Sequence, residues 1–215
     1  MKCHMCDAEA TTREHVPPKS FFPDGYRKDL ITVPSCPAHN HAQSLDIEYA
    51  RNIVAGFDGV NQVGELVFEL AKRSYNRSPA LFCESFHDFR PICINGQDTG
   101  AFTVDLERVK SKMAPIANAI YFKEYGHQYP AQWNVFLASM RSQDADGRLI
   151  AESSRWQKVR KLVATIQFVP KLVPQPNVFG FGVCELPGGL MFEFVFYGGF
   201  TIHCFGPMIE KNLAA

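Results

Sequence analysis

Four potential metal donors fall within the first forty residues as two close pairs, Cys3 with Cys6 and Cys36 with His39. Each pair is a C-x2-C or C-x2-H knuckle, and roughly thirty residues separate the two, as a tetrahedral zinc site requires. One tight turn supplies two ligands, and the ion joins two turns that could not otherwise stay together. A Cys3His donor set is a normal structural zinc site. His4 competes with these donors, but its place inside the first knuckle makes it a poor fourth ligand. Between the pairs stands Glu14-His15-Val16-Pro17-Pro18, and Asn40 directly follows the last donor. A histidine held inside such a loop points to chemistry beside the zinc, because imidazole titrates near neutral pH.

Read in order, Cys3, Cys6, Glu14-His15, Cys36, His39 and Asn40 resemble the HNH, or ββα-metal, nuclease family. The likeness is to its zinc-stabilised branch, typified by recombination endonuclease VII, where the pattern runs C-x2-C, acid-His, C-x2-C-Asn. It covers residues 1 to about 55. The chain also looks like a group of bacterial HNH-like proteins with an acid-His-Val-Pro-Pro-Lys segment and a Ser-x-Asp-x-Glu-Tyr helix, here Ser44 to Tyr49. The resemblance implies a divalent-metal-dependent endonuclease with His15 as general base. It also implies Mg²⁺ or Mn²⁺ held by Glu14 and Asn40, and a bacterial or phage-related setting in defence or mobile-element biology. Nucleic acid, DNA first, is the implied partner. Two positions depart from the pattern: Glu14 replaces an Asp, and His39 replaces a Cys. His41 is an alternative to Asn40 as metal ligand or phosphate contact, and Asn40 an alternative helix cap. Asp29 stands loosely where many HNH proteins carry a middle Asn. The rival reading is a non-catalytic zinc treble clef that binds protein or nucleic acid.

Composition sets bounds on these readings. The chain has 215 residues, 46% of them hydrophobic and 20% charged, which suits an ordinary globular protein with a real core. It has no apolar run of about 18 residues or more, so no membrane span is expected. The N-terminus lacks a signal-peptide core, which predicts a cytoplasmic location. Lys and Arg together number 22, as do Asp and Glu. This zero net charge is unlike the basic footprint of most nucleic-acid binders. Lys19 and Arg51 are candidate phosphate contacts. Arg155, Lys158, Arg160 and Lys161 form a denser basic run that reads first as a solvated helix face. Of seven cysteines, Cys83, Cys93, Cys184 and Cys204 lie outside the zinc pattern and read as buried reduced thiols. A second site from Cys83, His87 and Cys93 lacks a paired knuckle.

The elements that must position these groups are legible in outline. Residues 7 to 35 predict two short strands and a long loop, and a helix should run from Ser44 to about Gly56. This is the order of a ββα-metal unit, taken as residues 1–58. Residues 60–215 form a second body that would select a target, make a homodimer or gate the site. Helical spacing marks residues 61–75 and Thr103–Tyr125, with Pro115 predicting a kink or break in the latter. Trp133–Met140 reads as a strand, and the segments Val163–Val169, Val178–Leu186, Leu190–Tyr197 and Phe200–Phe205 alternate as strands. Pro187-Gly188-Gly189 and Gly198-Gly199 link the last three as an antiparallel meander. Phe192, Phe194, Phe196, Tyr197 and Phe200 read as sheet core rather than as a base-stacking platform. The fold class is α+β: an N-terminal zinc-bound treble-clef module joined to a helix-plus-antiparallel-sheet body.

Overall fold

The computed structural model describes residues 1–41, 44–94, 96–140 and 154–207. It is a mixed helix-and-sheet protein whose sheets are all antiparallel. The first sheet pairs β1 (Thr12–His15) with β2 (Thr32–Ser35), Thr12 opposite Ser35 and His15 opposite Thr32. A short 3-10 turn, Lys19–Phe21, lies between them. Two helices follow, α1 (Pro37–His41) and α2 (Ser44–Ala55). Strand, strand, knuckle and helix therefore succeed one another as the sequence predicts. The reading of Ser44 as a cap, and of His41 as a ligand, falls on side chains outside the described set.

Helix α3 (Gln62–Arg77) begins at Asn61, whose side chain accepts from the N–H groups of Val63 and Gly64. The Asn61 N–H is itself given to the Tyr197 carbonyl at 2.8 Å, which ties the start of α3 to the end of the main sheet. A β-carbon on Gly199 would collide with the Gly59 carbonyl, so glycine is needed where these two turns meet. The short helix α4 (Pro79–Ser85) and the hairpin β3 (His87–Ile94) with β4 (Gln97–Thr103) come next. None of these three elements was expected from the sequence.

Helix α5 (Leu106–Tyr125) starts at Asp105, which accepts from the Arg108 N–H, and ends at Gly126 in the left-handed conformation. Of the kink or break expected at Pro115, the break does not occur, and the helix runs through it. Proline removes one ladder hydrogen bond at a cost of about 3 kcal/mol. Val109, Met113, Ile116, Ala117 and Ile120 are buried on either side of it, and their packing outweighs that loss.

The main sheet has the order β5-β9-β8-β7-β6. Its strands are β5 (Asn134–Phe136), β6 (Val169–Pro170), β7 (Phe179–Leu186), β8 (Gly189–Phe196) and β9 (Phe200–Pro207). The meander β7-β8-β9 falls where alternation placed it. Phe179, Phe192, Phe194, Phe196, Tyr197 and Phe200 form the core on one face. The expected strand Val163–Val169 is a different matter. Residues Ser154–Val163 form helix α6, and Ala164, Thr165 and Ile166 donate their N–H groups back to its last turn. Only Val169 and Pro170 pair with β7. A β-branched run so largely exposed gains nothing from a sheet face, so the preceding helical turn keeps its backbone.

The two ends of the chain share one hydrophobic core. Val16, Phe21, Phe22 and Val33 pack in the same cluster as α2, α5 and the sheet. Phe21 meets Phe196 with ring centroids 5.3 Å apart, and the buried Tyr197 hydroxyl donates to the Phe21 carbonyl at 2.8 Å. Among the described residues, no helix is long and apolar enough to cross a membrane.

Candidate metal centre and adjoining cleft

The first knuckle is set by short backbone bonds. Cys3 donates its N–H to the Ala8 carbonyl at 2.9 Å, and the Met5 N–H points at the Cys3 sulfur at 3.4 Å. The second knuckle is the start of α1, where the N–H groups of His39 and Asn40 both reach the Cys36 carbonyl. This turn brings His39 Nδ1 to 3.3 Å from Cys36 Sγ, and to 3.5 Å from both Cys3 Sγ and Cys6 Sγ. Cys6 Sγ and Cys36 Sγ are 3.9 Å apart. All four donor atoms lie within 4.8 Å of one another.

Those edges can be tested against an ion. With Zn–S near 2.3 Å and Zn–N near 2.0–2.1 Å, a tetrahedron has S···S edges of about 3.8 Å and S···N edges of about 3.6 Å. The observed 3.9 Å and 3.3–3.5 Å fit that frame. The four residues therefore form a cluster able to hold a metal ion, and both donor chemistry and geometry suit zinc. Burial alone would raise the Cys3 thiol. The N–H groups of Met5, Cys36 and Cys6, together with the His39 ring, instead bring it down to about 6, where a thiolate ligand is available. His4 stays outside the set. Its Nδ1–H donates to the Pro34 carbonyl at 2.9 Å, and its Nε2 faces Glu14 at 3.7 Å.

Residues far along the chain fasten this knuckle. Gln128 donates to the carbonyls of both Cys3 and Cys6, at 2.8 and 2.7 Å. Asn118 on α5 reaches the Met5 sulfur at 3.2 Å and is itself fixed by the Trp133 indole N–H. Residues more than a hundred positions away thus hold the backbone of two of the candidate metal ligands.

Beside the cluster opens a cavity of about 90 Å³. Glu14, His15 and His39 line one side, and Lys112, Pro115 and Ile116 of α5 the other. His15 is half-buried at the end of β1, and burial, with the positive charge of Lys19, holds its imidazole below the ordinary value. Glu14 is pushed above the usual carboxylate range, chiefly by burial, and accepts a long hydrogen bond from Ser35 at 3.5 Å. Asn40 is the penultimate residue of α1. Its amide nitrogen donates to Thr12 Oγ1 at 3.0 Å, and that hydroxyl donates to the Ser35 carbonyl. Glu14 and Asn40 thus both brace the β1–β2 pair around Ser35, and Glu14 alone of the two borders the cavity.

The remaining sequence candidates are dispersed. Asp29 is exposed in a turn with φ of 53°, and Arg51 is engaged with Glu48 and Asn52. Within the basic run, Arg160 donates to the Ala138 carbonyl and stacks on Phe136, while Arg155, Lys158 and Lys161 are exposed. Cys83 and Cys93 are exposed rather than buried as expected, and Cys184 is half-buried, whereas Cys204 is fully buried. Cys83, His87 and Cys93 form no donor group among the described residues. One cleft residue escaped the sequence reading altogether. Lys112 sits three residues after Val109 and four before Ile116, on the buried stripe of α5, and a charge on such a stripe was the available signal.

Set beside family models, curated proteins and solved structures, the chain matches none of them.

Proposed function

We propose that this chain is a divalent-metal-dependent nuclease of the HNH, or ββα-metal, type, acting on nucleic acid, DNA first. In this reading a zinc-held treble clef presents His15 to a phosphodiester bond. The observation that carries it is that Glu14 and His15 open into one cleft with His39 of the four-donor cluster. The order of those residues along the chain supports the same assignment. Zinc at Cys3, Cys6, Cys36 and His39 supplies structure, fixing the two knuckles against the β1–β2 pair. His15 takes a proton from the attacking water. By the resemblance Glu14 and Asn40 would hold Mg²⁺ or Mn²⁺; Glu14 borders the cleft and fits that role, whereas Asn40 lies outside the cleft lining with its amide nitrogen committed to Thr12. The bound ion would offset charge on the scissile phosphate and the leaving oxygen.

The test is cleavage of supercoiled plasmid, linear DNA and single strands with Mg²⁺ or Mn²⁺, comparing wild type with His15→Ala. A metal-dependent activity that falls about 10²- to 10⁴-fold in a folded, zinc-loaded variant is the expected result. Equal cleavage by both proteins would place the activity elsewhere.

One observation favours a second reading, a zinc module that binds without catalysis. The Glu14 carboxylate is turned toward His4 and Ser35, two neighbours that occupy it structurally. Wild-type protein that cleaves none of these substrates, and that binds zinc with no response to a second ion, would establish that reading instead.

A further inference from the structure

Helix α5 belongs to the body, yet one of its charged side chains reaches the cleft of the N-terminal module. Among the described residues lining that cleft, Lys112 is the one lysine or arginine. Its side chain is only 8% exposed. It shares its helix face with Val109, Met113 and Ile116, which are fully or almost fully buried. A lysine is a poor choice for such a position on packing grounds, since an ammonium is costly to desolvate. A methionine or leucine would fill the space with no charge to satisfy.

The ammonium is held from the module's side. Asp46 on α2 accepts from Lys112 at 3.2 Å through Oδ2 and from Arg108 at 2.7 Å through Oδ1. Arg108 in turn lies over the Tyr49 ring, 4.3 Å from its centroid. Lys112 is thus a lining residue of the cleft whose ammonium is fixed in place by a carboxylate that is itself braced, with its aliphatic stem packed along the helix. Across the cleft stand Glu14 and His15, and along its α5 wall Pro115, Ile116 and Ala119 are apolar. A single fixed cation beside an apolar wall and a histidine suits a phosphodiester flanked by its sugars. Lysine binds phosphate as a point charge and needs no bidentate geometry.

We propose that Lys112 is a phosphate-binding residue that the body contributes to the module's cleft, so that the substrate strand runs between α5 and the Glu14-His15 pair. This rests on the nuclease reading above and deepens it. It also accounts for a neutral chain binding nucleic acid: the positive charge is local and buried in a wall, not spread over a surface. The 60–215 body then completes the site as well as supporting it.

The experiment is equilibrium binding of a short labelled single strand, and of the matching duplex, to zinc-loaded full-length protein without Mg²⁺, across a series of salt concentrations. Lys112→Met keeps the stem, and Lys112→Gln keeps a polar head in case the first variant fails to fold. Lys112→Arg restores the charge. The expected result is binding weakened about three- to tenfold in the Met or Gln variant, uniformly across sequences. The slope of log affinity against log salt should fall by about 0.7 for the single strand, one phosphate contact, and recover in the Arg variant. Wild type and a folded charge-removing variant that share one affinity and one slope would overturn the role of Lys112 and leave the nuclease reading standing. Wild type that binds neither strand nor duplex at low salt would overturn both.

Discussion

Between Thr12 and Ser35 two strands of four residues face each other across a long loop; the first has no buried residue, and the second buries Val33, Pro34 and Ser35. Between Phe179 and Pro207 three strands of eight residues form a continuous meander around fully buried aromatic rings. Strands as short as β1 and β2 make too few ladder bonds and bury too little surface to hold themselves. Their cohesion depends on the four metal donors and on clasps from elsewhere in the chain, such as Gln128 and Tyr197. The meander is held by side-chain packing, its own rings against one another and against neighbours such as Trp133 and Phe21. One molecule therefore contains a region whose order would rest on an ion at the four-donor cluster and a region whose order rests on packing, joined through a shared core.

The largest effect that would sharpen this contrast comes from the metal. Structural zinc sites carry apparent binding free energies on the order of 10 kcal/mol, coupled to folding. Chelation, or Cys36→Ser, is expected to release the N-terminal knuckles while the strand signature of the meander persists in far-UV circular dichroism. Loss of the whole sheet at the same chelator concentration would break the distinction and make the protein one cooperative unit.

A smaller effect tests the opposite region. Phe192 is fully buried between Trp133 and Phe194, with ring centroids 5.3 and 5.9 Å away. Phe192→Ala should cost about 3–5 kcal/mol in denaturant unfolding. Zinc stoichiometry should be unchanged under conditions where the variant is folded. A variant that is folded yet has lost its zinc would show that the sheet's packing sets the metal site.

The smallest expected effect lies at the junction. Arg108, and then Lys112, hold the Asp46 carboxyl below its ordinary value, and Asp46 is partly exposed. Discounted for solvent screening, Asp46→Asn should destabilise by no more than about 1 kcal/mol. Because the folded value is depressed, the contribution is complete above the unfolded value and disappears only as pH falls through the folded one. The stability gap between wild type and Asp46→Asn should therefore hold constant from neutral pH down to about pH 5. A gap that narrows between neutral pH and that point would contradict the ion pair.

What could be read from the residues follows the same division. The knuckles were legible because metal ligands come in fixed spacings, and the meander because a two-sided strand alternates and its turns carry Gly-Gly and Pro-Gly. The hairpin β3–β4 was missed although Asn95-Gly96, a strong hairpin turn pair, separates its two strands in the sequence, because the flanking segments show no clear alternation to go with it. The run Val163–Val169 misled because β-branched residues suggest strand wherever they stand, while burial decides. At the site, Cys3, Cys6, Cys36 and His39 were found together as expected, with Glu14 and His15 beside them. That Asn40 braces Thr12, and that Lys112 faces the cleft from α5, depends on how distant elements dock. No local pattern carries such information.

The bond from Tyr197 to the Phe21 carbonyl spans 176 positions of chain, and this fixes an order of events on the ribosome. The fourth metal donor, His39, has been made long before Tyr197. At about 5–20 residues per second the interval is on the order of ten to thirty seconds. During that time Phe21 and Phe22, both buried in the finished protein, have no sheet to cover them. The knuckles can take up their ion while the apolar side of the same segment still faces water. A nascent chain in that condition can be metal-competent and adhesive at once, and it leaves that state only when its last strands arrive.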